Sequence, residues 1–320
     1  MASTDLTKPV DADGPSAASS ASAASAASAV PSETPEDVAG LEAGLDALES
    51  HQEERTPIWR TLLAKVGPPA IAVAVLIGIW QIAYSAHLKP EYALPSPAQV
   101  WDAFMVQWRK GDVFEILWVS LKRAALGFLM ALAIGTPLGL VVARVRWIRA
   151  AIGPLLSGLQ SLPSVAWVPP AVIWFGLNNS AIYAVVLLGA VPSIAQGIIS
   201  GVDQVPPLFI RAGRVLGATG LRGVWHILLP AALPGYLAGV KQGWAFSWRS
   251  LMAAELIAAS PDLGYGLGQF LQQGRDLGDM PMMITAVFLI LIVGIGIELL
   301  VFSPLEKLVL RQRGLLASAK

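Results

Sequence analysis

Six long apolar runs dominate the sequence and restrict the chain to a fold that crosses a lipid bilayer. A membrane-spanning helix needs about 20 apolar residues, and backbone polar groups inside lipid have to be paired within the structure itself. Charged residues make up 14% of the chain, against about 25% in soluble domains. The sequence therefore predicts an all-α integral membrane protein with about six transmembrane helices, some of them kinked at internal Pro and Gly. The runs are approximately Pro68–Ala86, Ala124–Ala143, Ile152–Phe175, Ala181–Ser200, Leu233–Ala258 and Met283–Phe302.

Residues 1–55 differ in composition from everything that follows. Ser16–Val30 is almost wholly Ala and Ser, which supplies too little apolar bulk to offset the loss of chain entropy on folding. Apolar residues at helical spacing within Pro35–Ser50 fit either a short acidic amphipathic helix or a solvated tail. We predict a disordered Ala/Ser-rich and acidic cytoplasmic tail over residues 1–55 and a transmembrane domain over residues 56–320.

The distribution of Lys and Arg predicts the orientation of the chain in the membrane. Basic residues are concentrated after the second run, after the fourth run and at the C-terminus, and the positive-inside rule places such segments in the cytoplasm. Both termini are therefore predicted to be cytoplasmic. The segment His87–Arg123 is predicted to lie outside although it contains five basic residues, with Trp101–Trp118 as an amphipathic helix at the outer interface. The basic residues on the cytoplasmic side are Arg144, Arg146, Arg149, Arg211, Arg214, Arg222, Lys307, Arg311, Arg313 and Lys320.

A mixed segment, residues 210–230, separates the fourth and fifth runs, and we call it the elbow. Ala212–Leu216 consists of good helix formers apart from one glycine, and Gly217 and Gly220 then interrupt the helical pattern. A second short helix is predicted over Leu221–Leu229, ending at Pro230. The pattern indicates a basic helix–turn–helix on the cytoplasmic membrane surface.

Known catalytic motifs are missing from the sequence. There is no Gly-Lys dipeptide, which a Walker A loop requires, and neither a His-Glu-x-x-His nor a Gly-x-Ser-x-Gly pattern occurs. The chain contains no cysteine, so thiolate catalysis and Cys-based metal sites are excluded. We expect neither catalytic residues nor a metal site nor a bound cofactor, and a transporter of this sequence would need a partner or an ion gradient as its energy source.

The fifth run contains two charged residues, Arg249 and Glu255, with Trp244, Ser247 and Trp248 nearby. Charges at such depth cost several kcal/mol unless they face a cavity, a partner or each other. The two charges are six residues apart and do not share one face of a straight helix, so either the helix is broken or they contact different elements. One interpretation is a translocation path in which Arg249 attracts an anion. In the other, the charges tie helices or subunits together, or Arg249 extends outward to the interface.

The elbow resembles the coupling loop of permeases of ATP-binding-cassette (ABC) importers. The family pattern is Glu-Ala-Ala, three residues, Gly, nine residues, Ile, one residue and Leu-Pro, and this chain departs from it at Arg211, where the family prefers Glu, and at Gly213, where it prefers Ala. In the family this loop docks on a separate ATPase subunit. The matching residues are Ala212, Gly217, Ile227, Leu229 and Pro230. The alternative is a basic loop whose Gly and Pro fall there by chance.

Three further segments are similar to the nitrate, sulfonate and taurine group of these importers. They are Leu94–Pro97, then Leu162–Pro169 followed by Trp174–Leu177, and Gly243–Leu256, which is most similar to the aliphatic-sulfonate members. The resemblance runs from about Trp59 to the C-terminus. It implies a permease domain of the binding-protein-dependent type.

The resemblance also implies an assembly and a function. The expected assembly is a homodimer of this chain in the bacterial cytoplasmic membrane with two ATPase subunits, which bind ATP and Mg, and an extracytoplasmic substrate-binding protein; nucleic acid is not an expected partner. The expected substrate is a small anion, an aliphatic sulfonate, with taurine, nitrate or a thiamine-precursor-like heterocycle as alternatives. Another hypothesis is a secondary transporter driven by an ion gradient, against which the sequence shows no inverted repeat of broken spans. A membrane enzyme or scaffold is a third hypothesis, and no catalytic constellation supports it.

Overall fold

The computed structural model describes residues 58–258 and 264–312, and the elements in these ranges are helical. The chain divides into two units, residues 1–72 and 73–320, and only the start of the first helix is described in the first unit. The predicted tail over residues 1–55 lies outside the described residues. The helices are α1 (Ile58–Ser85), α2 (Pro97–Lys110), α3 (Asp112–Arg144), α4 (Arg146–Ser161), α5 (Val168–Phe175), α6 (Asn179–Asp203), α7 (Pro207–Val215), α8 (Gly220–Gly223), α9 (Leu229–Ile257), α10 (Leu267–Asp276), α11 (Met280–Ile297) and α12 (Ser303–Gln312).

Within these described ranges, four helical segments are long and apolar enough to cross a membrane: Gly67–Ser85, Asp112–Arg144, Asn179–Asp203 and Met280–Gln312. Helix α9 has 29 residues and is therefore about 44 Å long, but charged and polar residues make it less apolar. The prediction of an all-α membrane protein is confirmed.

The third apolar run was predicted to be one membrane span with kinks, and the structure divides it into two shorter helices. Helix α4 ends at Ser161, a 3₁₀ turn follows over Ser164–Trp167, and α5 begins only at Val168. Pro163 causes the break, because a proline disfavours helical geometry at the preceding residue, and Leu162 is extended with φ −77° and ψ 131°.

The predicted interfacial helix over Trp101–Trp118 is also divided, at Gly111. This glycine has φ 82° and ends α2, and α3 begins at the next residue. Helix α3 then continues for 33 residues, so Arg123, which was predicted to belong to an outer loop, lies within a long helix. The loop prediction for this residue is wrong.

Close contact between glycines brings α6 and α9 together in the centre of the bundle. A Cβ atom built on Gly239 would lie 2.3 Å from the Cα of Gly197, and one on Gly235 would lie 2.5 Å from the Cα of Gly201. Each helix thus presents a pair of glycines four residues apart, a spacing that lets membrane helices approach closely. Helix α3 packs on another side of α6, where Gly139 touches the backbone of Ala195.

Candidate functional site

The elbow forms a helix–turn–helix at one end of the bundle, as predicted. Helix α7 precedes the turn, and the turn contains Gly217 with φ 79° and Gly220 with φ 58°. Residues with a side chain rarely adopt this left-handed conformation, whereas glycine adopts it readily. The two glycines therefore fix where the chain reverses.

The second limb of the elbow does not stop at Pro230, and that prediction is wrong. Helix α8 leads into a π turn over Val224–Leu228, and α9 begins at Leu229. Leu228 and Leu229 keep helical φ and ψ directly before Pro230, so the proline does not end the helix. The elbow is consequently continuous with the long helix α9.

Gly213 is the contact point between the two limbs of the elbow. It is buried, and a Cβ atom at this position would lie 1.9 Å from Cδ1 of Ile227. An alanine would force the Ile227 side chain to move. This contact gives a physical reason for the glycine at a position where the resembling family prefers Ala.

The outer face of the elbow exposes large apolar side chains beside basic ones. Val215 is 87% exposed, Leu216 85% and Trp225 67%, and Arg211 and Ala212 are exposed as well. Large exposed apolar side chains at the end of the bundle are compatible with interaction with other proteins or with membranes. Behind this face, Arg144 from the end of α3 and Arg214 line a cavity of about 290 Å³, so two of the predicted basic clusters meet at the elbow end.

Helix α9 carries the predicted path residues, and the structure divides them between its faces. Trp244 and Trp248 are buried and stacked, with ring centroids 6.3 Å apart, and Phe128 of α3 meets Trp244 edge-on at 5.3 Å. Ser247 is fully buried, and its hydroxyl has no hydrogen-bond partner among the described residues. These three residues therefore belong to the helix-packing side of α9.

Glu255 lies at the far end of the bundle from the elbow and is the centre of a buried polar network. Its Oε1 accepts a hydrogen bond from Arg123 at 3.0 Å, and its Oε2 accepts one from the Ser120 hydroxyl at 2.7 Å and one from the N–H of Gly268 at 3.0 Å. Arg123 also donates to Asn179 at the start of α6 at 3.0 Å. Glu255 is 0% exposed and Arg123 5%. We call these five residues the Glu255 network.

The network joins α3, α6, α9 and α10, and glycine makes the last connection possible. A Cβ atom on Gly266 would lie 2.7 Å from both carboxylate oxygens of Glu255. A buried ion pair stabilises a fold only when hydrogen bonds satisfy the charged groups on both sides. Here the hydroxyl of Ser120 and the N–H of Gly268 donate the further hydrogen bonds that the carboxylate needs. The arrangement ties helices together at this end.

Tyr265 stands directly before this glycine-rich connection. Its ring meets Phe270 edge-on at 6.2 Å, and its hydroxyl donates to the side chain of Gln273. Burial, with a smaller effect from the negative charge of Asp112, raises the pKa of Tyr265 to about 12. The phenol therefore remains a hydrogen-bond donor at neutral pH.

Arg249 lies away from Glu255, on an exposed face of the same unbroken helix. Its Nε donates to the carbonyl of Ala245 at 3.1 Å, and its guanidinium carbon is 4.6 Å from the centroid of the Phe246 ring. The sequence allowed either a broken helix or two charges that contact different elements. The helix is continuous, so the second possibility is the one observed.

Sequence reasoning missed Arg123 and Ser120 as partners of Glu255. A signal was present, because the small residues that line the packing face of α3 extend back to Ser120 at helical spacing, through Gly135, Gly127 and Ala124. A basic residue that is buried along such a face needs an acidic partner on a neighbouring helix.

Comparison with known proteins identifies relatives over most of the chain. The model of the family described as binding-protein-dependent transport system inner membrane component matches residues 135–305. The taurine transport system permease protein of Escherichia coli K12 is 30% identical over 244 residues, which are 74% of this chain and 87% of that protein. A putative aliphatic sulfonates transport permease of Bacillus subtilis 168 is 29% identical over 192 residues, covering 60% and 70%. A nitrate import permease of Synechococcus elongatus is 28% identical over 246 residues, covering 73% and 86%.

Solved structures share the fold. A chain from inward-facing conformations of the methionine ABC transporter MetNI superposes with a TM-score of 0.53 at 22% sequence identity, covering 62% of this chain and 95% of that one. At this identity the likeness concerns the fold alone.

Proposed function

This chain belongs to the family of binding-protein-dependent transport system inner membrane components and is a permease subunit of an ABC importer, and on that premise we propose that it imports a small sulfonate across the bacterial cytoplasmic membrane. Taurine, which one relative carries according to its name, is itself a sulfonate, and a second relative is named for aliphatic sulfonates. Nitrate import is the second candidate, because a nitrate permease matches a comparable share of the chain. All three are small oxoanions or contain an oxoanion group.

The exposed apolar face of the elbow is the observation that carries the coupling part of the proposal. Val215 and Leu216 point away from the bundle and would be covered by an ATPase subunit that binds ATP and Mg. Two copies of this chain, two ATPase subunits and an extracytoplasmic binding protein would complete the importer, with both termini of this chain in the cytoplasm. The elbow would then receive the closing motion of the ATPases.

The coupling residues have separate roles in this proposal. Arg211 and Ala212 are exposed and would lie on the docking surface, Gly217 sets the turn, and Gly213 with Ile227 holds the limbs together. Leu229 and Pro230 connect the elbow to α9. The permeases of the family have a glutamate at the position of Arg211. In this chain the arginine would contact an acidic group of the ATPase instead.

The charged residues of α9 also receive different roles. Arg249 is exposed and would attract the anion. Glu255, held by the Glu255 network, would anchor α9 together with the stacked indoles of Trp244 and Trp248.

Growth of the host on defined nutrients tests the substrate. A strain lacking this chain is expected to lose growth on an alkanesulfonate or taurine as sole sulfur source and to grow normally on sulfate. Loss of growth only on nitrate as sole nitrogen source would move the substrate to nitrate. Undiminished sulfonate uptake by the strain lacking the chain, measured with labelled substrate, would contradict the proposal.

Exchange of the elbow surface tests the coupling. The double variant Val215→Ser/Leu216→Ser is expected to reach the membrane normally and to lose about tenfold of ATP-driven uptake, because tenfold weaker binding corresponds to about 1.4 kcal/mol and truncation of a few central contacts can cost that much. The matched control is Val215→Ile/Leu216→Met, which keeps the surface apolar. Full uptake by the serine variant would show that the elbow does not couple ATP hydrolysis to transport.

A further inference from the structure

A polar groove of about 440 Å³ lies between α4, α6 and α9, in helices that are otherwise largely apolar. Its side chains are uncharged amides and hydroxyls, and no carboxylate or basic group is among the residues that line it. Polar side chains at membrane depth are rare and face the bundle interior or a water-filled cavity. The polar side chains of the groove are Gln160, Ser193, Gln196, Ser200, Gln204 and Gln242.

The glycine crossing explains why the groove is open. Gly197 and Gly239, which touch each other, also line the groove, as does Gly235. The glycines have no side chains that could fill the space where the two helices meet. The polar residues beside the crossing therefore line an open groove. The amide of Gln160 donates to the carbonyls of Leu156 and Pro192 at 3.5 Å each, which makes both hydrogen bonds long and weak.

Beyond the groove, whose lining on α9 ends at Gln242, one exposed face of α9 leads to Arg249. Ala238, Gln242, Ala245 and Arg249 follow one another at intervals of four, three and four residues, and all of them are exposed. This spacing places them on one side of a helix, and we call them the open stripe. Trp244, Ser247 and Trp248 lie on the buried side.

We propose that the polar groove is a binding site for the oxoanion group of the transported substrate, and that Arg249 brings the anion to it. This inference rests on the proposed function. The amide N–H groups of Gln196 and Gln242 and the hydroxyl of Ser200 would replace water around the sulfonate or nitrate oxygens. Gln196, Ser200 and Gln242 are not among the predicted path residues, because neither the family pattern nor the charge distribution of the sequence indicated them.

Neutral donors suit a passage better than fixed charges. Conduction requires binding that is strong enough for entry and weak enough for release. An arginine inside the groove would hold an anion tightly, whereas amides and hydroxyls satisfy the oxygens without a full countercharge.

The charge on the open stripe favours an anion over a cation. Arg249 is the charged residue on the open stripe, and it would repel a cation. On the same helix the carboxylate of Glu255 is occupied by Arg123 and faces the buried side.

Uptake by proteoliposomes that contain the complete importer tests the inference. Labelled taurine, ethanesulfonate and nitrate serve as probes, and the variants are Gln242→Leu and Gln196→Leu. Each substitution removes hydrogen bonds to a charged ligand, so uptake at limiting substrate is expected to fall about tenfold or more. The matched control is Gln81→Leu on α1, an exposed glutamine outside the groove, which is expected to keep wild-type uptake.

Charge substitution at one position separates binding from packing. Gln242→Glu is expected to reduce uptake further than Gln242→Leu, whereas Gln242→Lys is expected to lower the substrate concentration needed for half-maximal uptake. Equal loss with Glu and Lys would overturn the inference, because a residue that only packs is disturbed by either charge.

The outcome for the wild-type complex distinguishes the two levels of the argument. A wild-type importer that takes up none of the three anions refutes the proposed function, and the groove inference is refuted with it. A wild-type importer that transports an anion, with Gln242→Leu and Gln196→Leu indistinguishable from Gln81→Leu, refutes only the role of the groove.

Discussion

The two ends of the bundle use the same residue types in opposite ways. At the far end, Arg123 and Glu255 form an ion pair at 3.0 Å that is almost completely buried. At the elbow end, Arg149 and Asp203 form an ion pair whose side chains are 42% and 44% exposed, and Val215 and Leu216 of the elbow are exposed as well. The far end is closed around its charges, whereas the elbow end leaves both charges and apolar surface available to a partner. The difference indicates that one end fixes the helices, whereas the other end leaves surface exposed for the coupling role that we propose.

The largest effect is expected from Glu255→Ala. The change leaves the guanidinium of Arg123 buried without its carboxylate, and breaking one partner of a buried pair lowers the free energy of unfolding by about 3–5 kcal/mol. Denaturation of the purified permease in detergent, followed by tryptophan fluorescence, measures the loss. Arg249→Ala, an exposed charge on the same helix, is the control and should change stability by less than about 1 kcal/mol. Equal losses in the two variants would remove the distinction between the buried and the open face of α9.

A smaller loss is expected from Gly239→Ala at the helix crossing. The added Cβ would lie 2.3 Å from the Cα of Gly197, and overpacking of a tight contact costs about 1–3 kcal/mol. The same denaturation assay applies. Gly296→Ala on α11 is the control, since nothing lies within 4 Å of its added Cβ, and alanine there should be neutral or slightly stabilising.

The turn of the elbow should tolerate change better than the crossing. Gly217→Ala places a side chain at φ 79° with no neighbour within 4 Å, so only backbone strain of about 1 kcal/mol is expected. Gly217→Asn should lose less, because asparagine accepts the left-handed conformation more readily. The melting temperatures of the two variants in detergent measure the difference, and a loss as large as that of Gly239→Ala would mean that the turn is packed rather than open.

The smallest effect is expected from Asp203→Asn. An exposed ion pair contributes about 0.2–1 kcal/mol, and salt screens that contribution. Denaturation at low and high salt should show a small loss that vanishes as salt increases. A loss comparable to that of Glu255→Ala, and independent of salt, would contradict the contrast between the two ends.

Local sequence patterns were sufficient for the membrane class and for the turn of the elbow. The length of an apolar run shows directly how much of a helix can be surrounded by lipid. Gly217 and Gly220 mark where the backbone reverses. Hydropathy does not register the break at Pro163, because the residues on both sides remain apolar. Pro230 was misjudged for a related reason, since a proline is compatible with the first turn of a helix as well as with an end.

Pairing across the bundle was beyond the reach of local patterns. Glu255 was weighed against Arg249, its neighbour in sequence, but its partner Arg123 is 132 positions away. The polar groove was missed likewise, because its glutamines belong to three helices that become neighbours only after the glycines of α6 and α9 meet. Such sites depend on packing, which a single sequence does not display.

Helix α9 bends most readily near the elbow, at a point that we call the joint. We call the uninterrupted remainder of the helix the arm. The π turn over Val224–Leu228 and Pro234 lie near the start of α9, and helices bend at such features. From Gly235 to Ile257 no further proline interrupts the helix. A force on the elbow would therefore first change the angle of the helix at the joint and only then move the arm. The opposite end of the arm is held at Glu255. If the elbow couples to an ATPase as proposed, the arm would act as a lever with its fulcrum at the buried carboxylate, and Gln242 would move through only part of the distance that the elbow covers.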